Sequence, residues 1–229
     1  MKMPVISYKI SILAILLLYA PISYAKHSPE IILYNRRFIT PSIPDDQDAP
    51  TKPQEFYKTN NLRRKTGSPF LAKGEYLFIE GYVTDLLNNP IENARIYIWQ
   101  TNIFGYYNHL LKNTEDDTKY DIDFPGSGTF VTDNLGHYEF TTIAPGYYGT
   151  RAPHIHFLIK HDLFYEDFET QMFLPGHPRN LQDEIFTSIS PLSRTLVSPK
   201  ITLINKNNPG DGKYALFNIR IDWIHPNKS

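Results

Sequence analysis

The sequence predicts an all-β chain: an antiparallel β-sandwich with long loops, one short helix and an extended N-terminal arm. Three observations carry the prediction. Short runs rich in Tyr, Phe, Ile, Val and Thr recur along the chain, turn residues separate them, and 18 prolines against 12 glycines disfavour a long helical array. Apolar residues at 41% and aromatics at 14% supply a core, and 229 residues fit one domain with a modest extension.

Taken in order, the first element is a leader. Lys2 and Lys9 precede an apolar run from Ile10 to Ala20, and Ser23-Tyr24-Ala25 offers the small residues a signal peptidase reads, so 1–25 is expected to be an export signal. A membrane span needs about 20 apolar residues, and Pro21 ends this run early, so no span is expected after removal of the signal. Residues 26–75 follow as a Pro-rich arm carrying Pro29, Pro41, Pro44, Pro50, Pro53 and Pro69 and the acids Asp45, Asp46 and Asp48. The domain proper is expected over 76–229. Its strands are predicted at 76–84, 94–100, 137–142, 154–160, 168–174, 196–203 and 214–223, with turns at Asn88-Asn89-Pro90, Asp133-Asn134, Pro145-Gly146 and Pro209-Gly210. One helix is expected, over 178–186.

Composition narrows the chemistry. The formal net charge is −1, and the leader removes two lysines and no acid, so the mature surface is mildly acidic and is not expected to recruit nucleic acid. The chain has no cysteine, which excludes disulfides, thiolate metal sites, iron–sulfur clusters and a cysteine nucleophile. A metal would have to be held by nitrogen and oxygen.

His154-Ile155-His156 lies in a β-like run, and strand side chains repeat with period two, so both imidazoles project from one face and Ile155 from the other. A lone His-x-His is also common as a pair of satisfied polar residues. The cupin barrel uses the same pair with a glutamate shortly after it, whereas here the next acids are Asp162, Glu166 and Asp167. Other segments supply the context: Trp99-Gln100-x-Asn102-x-x-Gly105-x-Tyr107-x-His109, then Gly136-x-Tyr138-x-Phe140, Pro145-Gly146-x-Tyr148, Arg151-x-x-His154-Ile155-His156-Phe157 and Thr170-Gln171. This ordered set resembles the intradiol ring-cleavage dioxygenases, in particular the β-subunit type of protocatechuate 3,4-dioxygenase and its secreted relatives, over roughly Gly81 to Pro178.

The resemblance implies an iron(III) site with Tyr107, Tyr148, His154 and His156 as ligands, Tyr106 and Tyr147 being the neighbours to be distinguished from them. It implies Arg151 as a fixed positive charge beside the substrate ring and Gln171 as a residue orienting a ligand or substrate oxygen. The expected partners are a small catechol and dioxygen, the product a muconate-type diacid, and the Tyr148 phenolate a proton acceptor as the catechol binds. A homo-oligomer is compatible with this reading. The chemistry suits the residue types: a bound cation lets a phenol of pKa about 10 coordinate as phenolate, and two phenolates suit a harder, more highly charged ion than zinc. Only Gly149-Thr150 separates Tyr148 from Arg151, where protocatechuate dioxygenase carries a longer, tryptophan-bearing loop, so the pocket wall is expected to differ.

The segments around Gly81 to Ala94 and Gly136 to Gly146 also resemble transthyretin-like or carboxypeptidase-regulatory-like sandwiches. A non-catalytic binding module is therefore the competing expectation. Gly126-Ser127-Gly128 is not a nucleophile elbow and reads as loop.

Overall fold

The computed structural model describes residues 38–111 and 117–222, with the backbone alone at Asp117. The leader expected at 1–25 lies outside the described residues. Along the chain run β1 (Tyr76–Thr84), β2 (Arg95–Gln100), α1 (Asn108–Leu111), β3 (Ser127–Val131), β4 (His137–Ile143), β5 (His154–Lys160), β6 (Phe168–Phe173), α2 (Glu184–Ser188), α3 (Pro191–Val197), β7 (Ile201–Leu203), β8 (Lys213–Leu216) and β9 (Ile219–Arg220). Two sheets form, one ordered β4-β1-β8-β7 with β9 also on β1, the other ordered β3-β2-β5-β6.

The sandwich core follows from period-two alternation. On β1, Leu77, Ile79 and Val83 point inward; on β5, Ile155, Phe157 and Ile159 do. Ile96, Ile98, Phe140, Met172 and Phe217 fill the space between them. Burying each such side chain stabilises the fold by about 1.5–3 kcal/mol. Gly81 sits in the inward row of β1 because the Phe217 carbonyl passes there: a Cβ would lie 2.0 Å from that oxygen.

The second sheet is antiparallel throughout, but the first is mixed, since β8 and β9 both run parallel to β1. That corrects the expectation of a purely antiparallel sandwich. The single expected helix is corrected too: among the described residues the 178–200 stretch forms a 3-10 turn at Pro178–Leu181 and then α2 and α3, while α1 follows β2. Asp183 caps α2 by accepting from Phe186 N, and Ser190 caps α3 ahead of Pro191 at its first position. α3 therefore takes Leu196 and Val197, and the strand expected over 196–203 shrinks to β7.

The run expected over 214–223 divides into β8 and β9 because the Asn218 side chain accepts the Tyr82 N–H in place of a backbone partner. Residues 223–229 lie outside the described residues. A strand forms where loop was expected, at β3: its Gly128 has no side chain because the Thr59 carbonyl crosses it, 2.5 Å from where a Cβ would stand.

The described residues before β1 form no helix or strand. They bond to both sheets instead. Thr40 exchanges bonds with Arg220, Ile43 N donates to Glu169 O on β6, and near 59–62 the chain bonds to Thr129 of β3 and Thr141 of β4. Among the described residues no helix is long and apolar enough to cross a membrane.

Candidate metal centre

The candidate site lies on the outer face of the second sheet. Register pairs Trp99 with His156 and His156 with Gln171, so these three form one row across β2, β5 and β6, with their side chains on the face opposite Ile155 and Phe157. That face is covered, since every residue from His154 to Ile159 is buried. Its cover includes Tyr107, and Phe56 from the segment before β1, packed with Trp99 and Leu158 of the sheet.

The two imidazoles converge. His154 Nε2 lies 3.0 Å from His156 Nε2, and the Tyr107 hydroxyl lies 3.0 Å from the same His156 nitrogen. His154 Nδ1 stands 2.6 Å from the Ala152 carbonyl, which can only accept, so Nδ1 carries the proton and Nε2 presents a lone pair inward. Trp99 stacks on His156 with ring centroids 4.4 Å apart and planes 10° from parallel. Burial, reinforced by the Arg151 charge, lowers the pKa of His154 to about 4. Burial likewise holds His156 well below the usual histidine value, helped by His154, Arg151 and Lys52. Both are neutral donors near pH 7.

The loop geometry explains why the sequence motif has its spacing. Asn102 Oδ1 accepts from Phe104 N and Tyr106 N, while its Nδ2 bonds to Asn108 Oδ1, folding 102–108 into a tight turn. Gly105, at φ +82°, meets the Tyr147 carbonyl 2.0 Å from where its Cβ would be, and Gly146 meets Gly105 N at 2.5 Å in the same sense. Gly146 N donates to Asn102 O, and Thr101 Oγ1 donates to Gly146 O. Two loops far apart in sequence thus lock together and bring Tyr107 against Tyr148, edge to face at 5.2 Å. Tyr107 is buried; Tyr148 is 37% exposed.

The neighbouring tyrosines turn elsewhere. Tyr147 is exposed under the Arg179 guanidinium, 3.7 Å from its ring, and Tyr106 lies beside Lys119.

Arg151 approaches the cluster from the tight Tyr148 to Arg151 turn, where its N–H donates to Tyr148 O. Its Nε donates to Asp183 Oδ2 at 2.9 Å and its Nη2 to Gln171 Oε1 at 2.6 Å. Asp183 also accepts from Ala152 N at 2.7 Å, so one buried carboxylate fixes both Arg151 and the backbone on which His154 leans. Burial pushes the Asp183 carboxyl up, but the Phe186 and Ala152 N–H groups and the Arg151 charge outweigh it and hold the group below the ordinary carboxylate range.

The spacing of Tyr107, His154 and His156 suits one shared metal ion. Two donors each about 2.1 Å from a shared ion and at right angles to one another stand about 3.0 Å apart, which is the separation of both the His154–His156 and the Tyr107–His156 pairs. Among the described residues no three His, Cys, Asp or Glu side chains cluster at metal-binding distance, so a metal at the imidazole pair would need phenol oxygen beside it. Burial raises the Tyr107 pKa well above the ordinary phenol value, with Asp45 and Tyr148 adding to the rise and Thr51 and Arg151 opposing it. Without a cation Tyr107 is a neutral phenol; a multiply charged ion would be needed to ionise it.

Residues that sequence reasoning did not select also shape the site. Thr51 Oγ1 accepts from Trp99 Nε1 at 3.0 Å and stands 3.4 Å from His156 Nε2, and Asp45 holds Thr51. Neither belongs to a motif. Asp183 lies inside the run expected to be helical, over 178–186, and in the structure caps the helix that follows it. His109 packs beside Tyr107 with ring centroids 5.8 Å apart, and its Nε2 is buried without a hydrogen-bond partner.

Against known proteins, a family model described as Dioxygenase matches residues 53–222, most of the chain. The chain is 34% identical over 146 residues to the protocatechuate 3,4-dioxygenase beta chain of Burkholderia cepacia, covering 61% of this chain and 60% of that one. It is 38% identical over 116 residues to a putative dioxygenase of Rickettsia bellii, covering 48% of this chain and 54% of that one. It therefore spans little more than half the length of these curated relatives. In fold it is similar to an intradiol ring-cleavage dioxygenase from Tetranychus urticae, with a TM-score of 0.61 at 22% identity, covering 82% of this chain and 96% of that one. A dioxygenase domain from Streptomyces sp. SirexAA-E gives a TM-score of 0.58 at 23% identity, covering 80% of this chain and all of that one. The chain belongs to the intradiol ring-cleavage dioxygenase family.

Proposed function

We propose that this protein is an iron(III) intradiol dioxygenase that opens a small catechol with dioxygen to a muconate-type diacid, and that it acts after export. The observation that carries the reading is the convergence of Tyr107, His154 and His156 within 3.0 Å contacts, with the Tyr148 ring against Tyr107. Tyr107, Tyr148, His154 and His156 would hold the metal. Ferric iron bound there supplies Lewis acidity and one-electron chemistry toward a chelated catechol.

The chain's own residues supply the rest. Both imidazoles bind without a proton to displace, because their burial keeps them neutral. Tyr148, partly open to solvent where Tyr107 is sealed, would as a metal-held phenolate be the one with room to move and to accept a substrate proton, becoming a neutral phenol. Arg151, tied by Asp183 and Gln171, offers a guanidinium that need not reorganise as negative charge develops on the ring. A non-catalytic sandwich would need the glycines that let strands and loops cross, but not a buried imidazole pair aimed at a phenol.

Turnover of catechol, protocatechuate, hydroxyquinol and a methylcatechol, with product analysis, tests the reading. A diacid cleaved between the two hydroxyl-bearing carbons is expected from at least one of them. Recovery of all four unchanged by iron-loaded protein, or cleavage outside that bond, would refute it.

A further inference from the structure

Thr51 precedes the stretch matched by the family model, yet its hydroxyl reaches the donor cluster. A hydroxyl has one proton and two lone pairs. The Thr51 oxygen accepts the Trp99 indole N–H at 3.0 Å and donates to Asp45 Oδ1 at 2.9 Å, with His156 Nε2 3.4 Å away. One small buried group therefore holds the indole stacked on His156 and touches the imidazole itself.

The chain holds that group in place from two sides. Asp45 Oδ2 accepts the backbone N–H groups of Thr51 and Lys52, at 2.7 and 2.8 Å, closing residues 45–52 into a loop. Glu169 on β6 then anchors both ends of the loop to the sheet, accepting from Asp45 N at 3.0 Å and pairing with Lys52 Nζ. Glu169 stands two residues before Gln171, on the site-bearing face, so the loop is referenced to the strand next to the imidazole pair.

We propose that Thr51 is a positioning residue of the metal centre, its hydroxyl fixing Trp99 against His156, with loop 45–52 serving to hold it there. The proposal rests on the reading of an iron(III) site given above. Without the hydroxyl the indole N–H loses its acceptor, and the ring stacked on His156 is no longer fixed.

The test compares the full chain with Thr51→Val and Thr51→Ser, each in a Trp223→Phe background that leaves Trp99 as the sole indole. In metal-free protein, Thr51→Val is expected to shift Trp99 emission and Thr51→Ser to restore it. On ferric titration, Thr51→Val is expected to bind iron about tenfold more weakly, with Thr51→Ser like wild type. Unchanged affinity in Thr51→Val overturns the proposal, as does a Thr51→Ser that matches Thr51→Val. A wild type that takes up no ferric iron fails the functional reading instead. In that case unchanged Trp99 emission in Thr51→Val overturns the contact by itself.

Discussion

Asp183 shows how much of the site depends on a residue that touches no ligand atom. Its carboxylate receives the Arg151 guanidinium, the Ala152 N–H that precedes His154 and the first turn of α2. Asp183→Asn keeps the shape and removes the charge, and is expected to cost about 2 kcal/mol at pH 7. Because the folded pKa of Asp183 is depressed, its stabilising contribution is fully present above the unfolded value of 3.8 and is lost as pH falls through the folded one. Denaturation curves should therefore show a gap between wild type and Asp183→Asn at pH 7 that closes below pH 3.8; a gap independent of pH would mean the charge is not what matters. Among residues, His154 and His156 were legible because strand periodicity aims both at one point. Tyr107 and Tyr148 were reached through the family resemblance, the spacing from Gly105 and from Pro145-Gly146 choosing them over Tyr106 and Tyr147. Asp45, Thr51 and Asp183 were not, since each reaches the site from a segment whose local pattern says nothing of what lies across the fold.

At the scale of elements, β1, β2, β4, β5 and β6 could be read almost to the residue, because each is a run rich in Tyr, Phe, Ile, Val or Thr bounded by turn residues, although burial alternates along β1 and not along β5, which is covered on both faces. The later part of the chain could not. The cap at Ser190 and the helix it starts took Leu196 and Val197, which had read as strand, into α3, and β3 was hidden by a glycine whose reason, the crossing Thr59 carbonyl, is tertiary. The parallel pairing of β8 with β1 likewise depends on where the long 174–212 excursion returns, which no local pattern records. Gly81 tests this level of the account. Its φ is not in the left-handed region, so the case for glycine is close approach alone: Gly81→Ala puts a methyl 2.0 Å from the Phe217 carbonyl. The expected loss is about 3 kcal/mol or more, read as a lower urea midpoint, and an unchanged midpoint would show that β8 and β9 yield more easily than their pairing suggests.

Across the whole molecule, the sandwich core and the candidate metal centre occupy opposite faces of one sheet. Phe157 and its neighbours fill the interior, and His154, His156, Trp99 and Gln171 turn outward beneath Tyr107 and the residues before β1. This separation lets the sandwich carry the candidate metal centre without opening its core. It also explains why residues 40–62, bonded to β9 and β6 on one side and to β3 and β4 on the other, contribute to the site as well as to the fold. Ferric titration of the purified chain, followed by visible absorption and iron analysis, tests the central claim most directly. Wild type is expected to bind one equivalent and turn wine-red, while Tyr107→Phe and His156→Ala lose most of that affinity. A colourless wild type after ferric loading, or stoichiometric iron retained in either variant, would contradict the account.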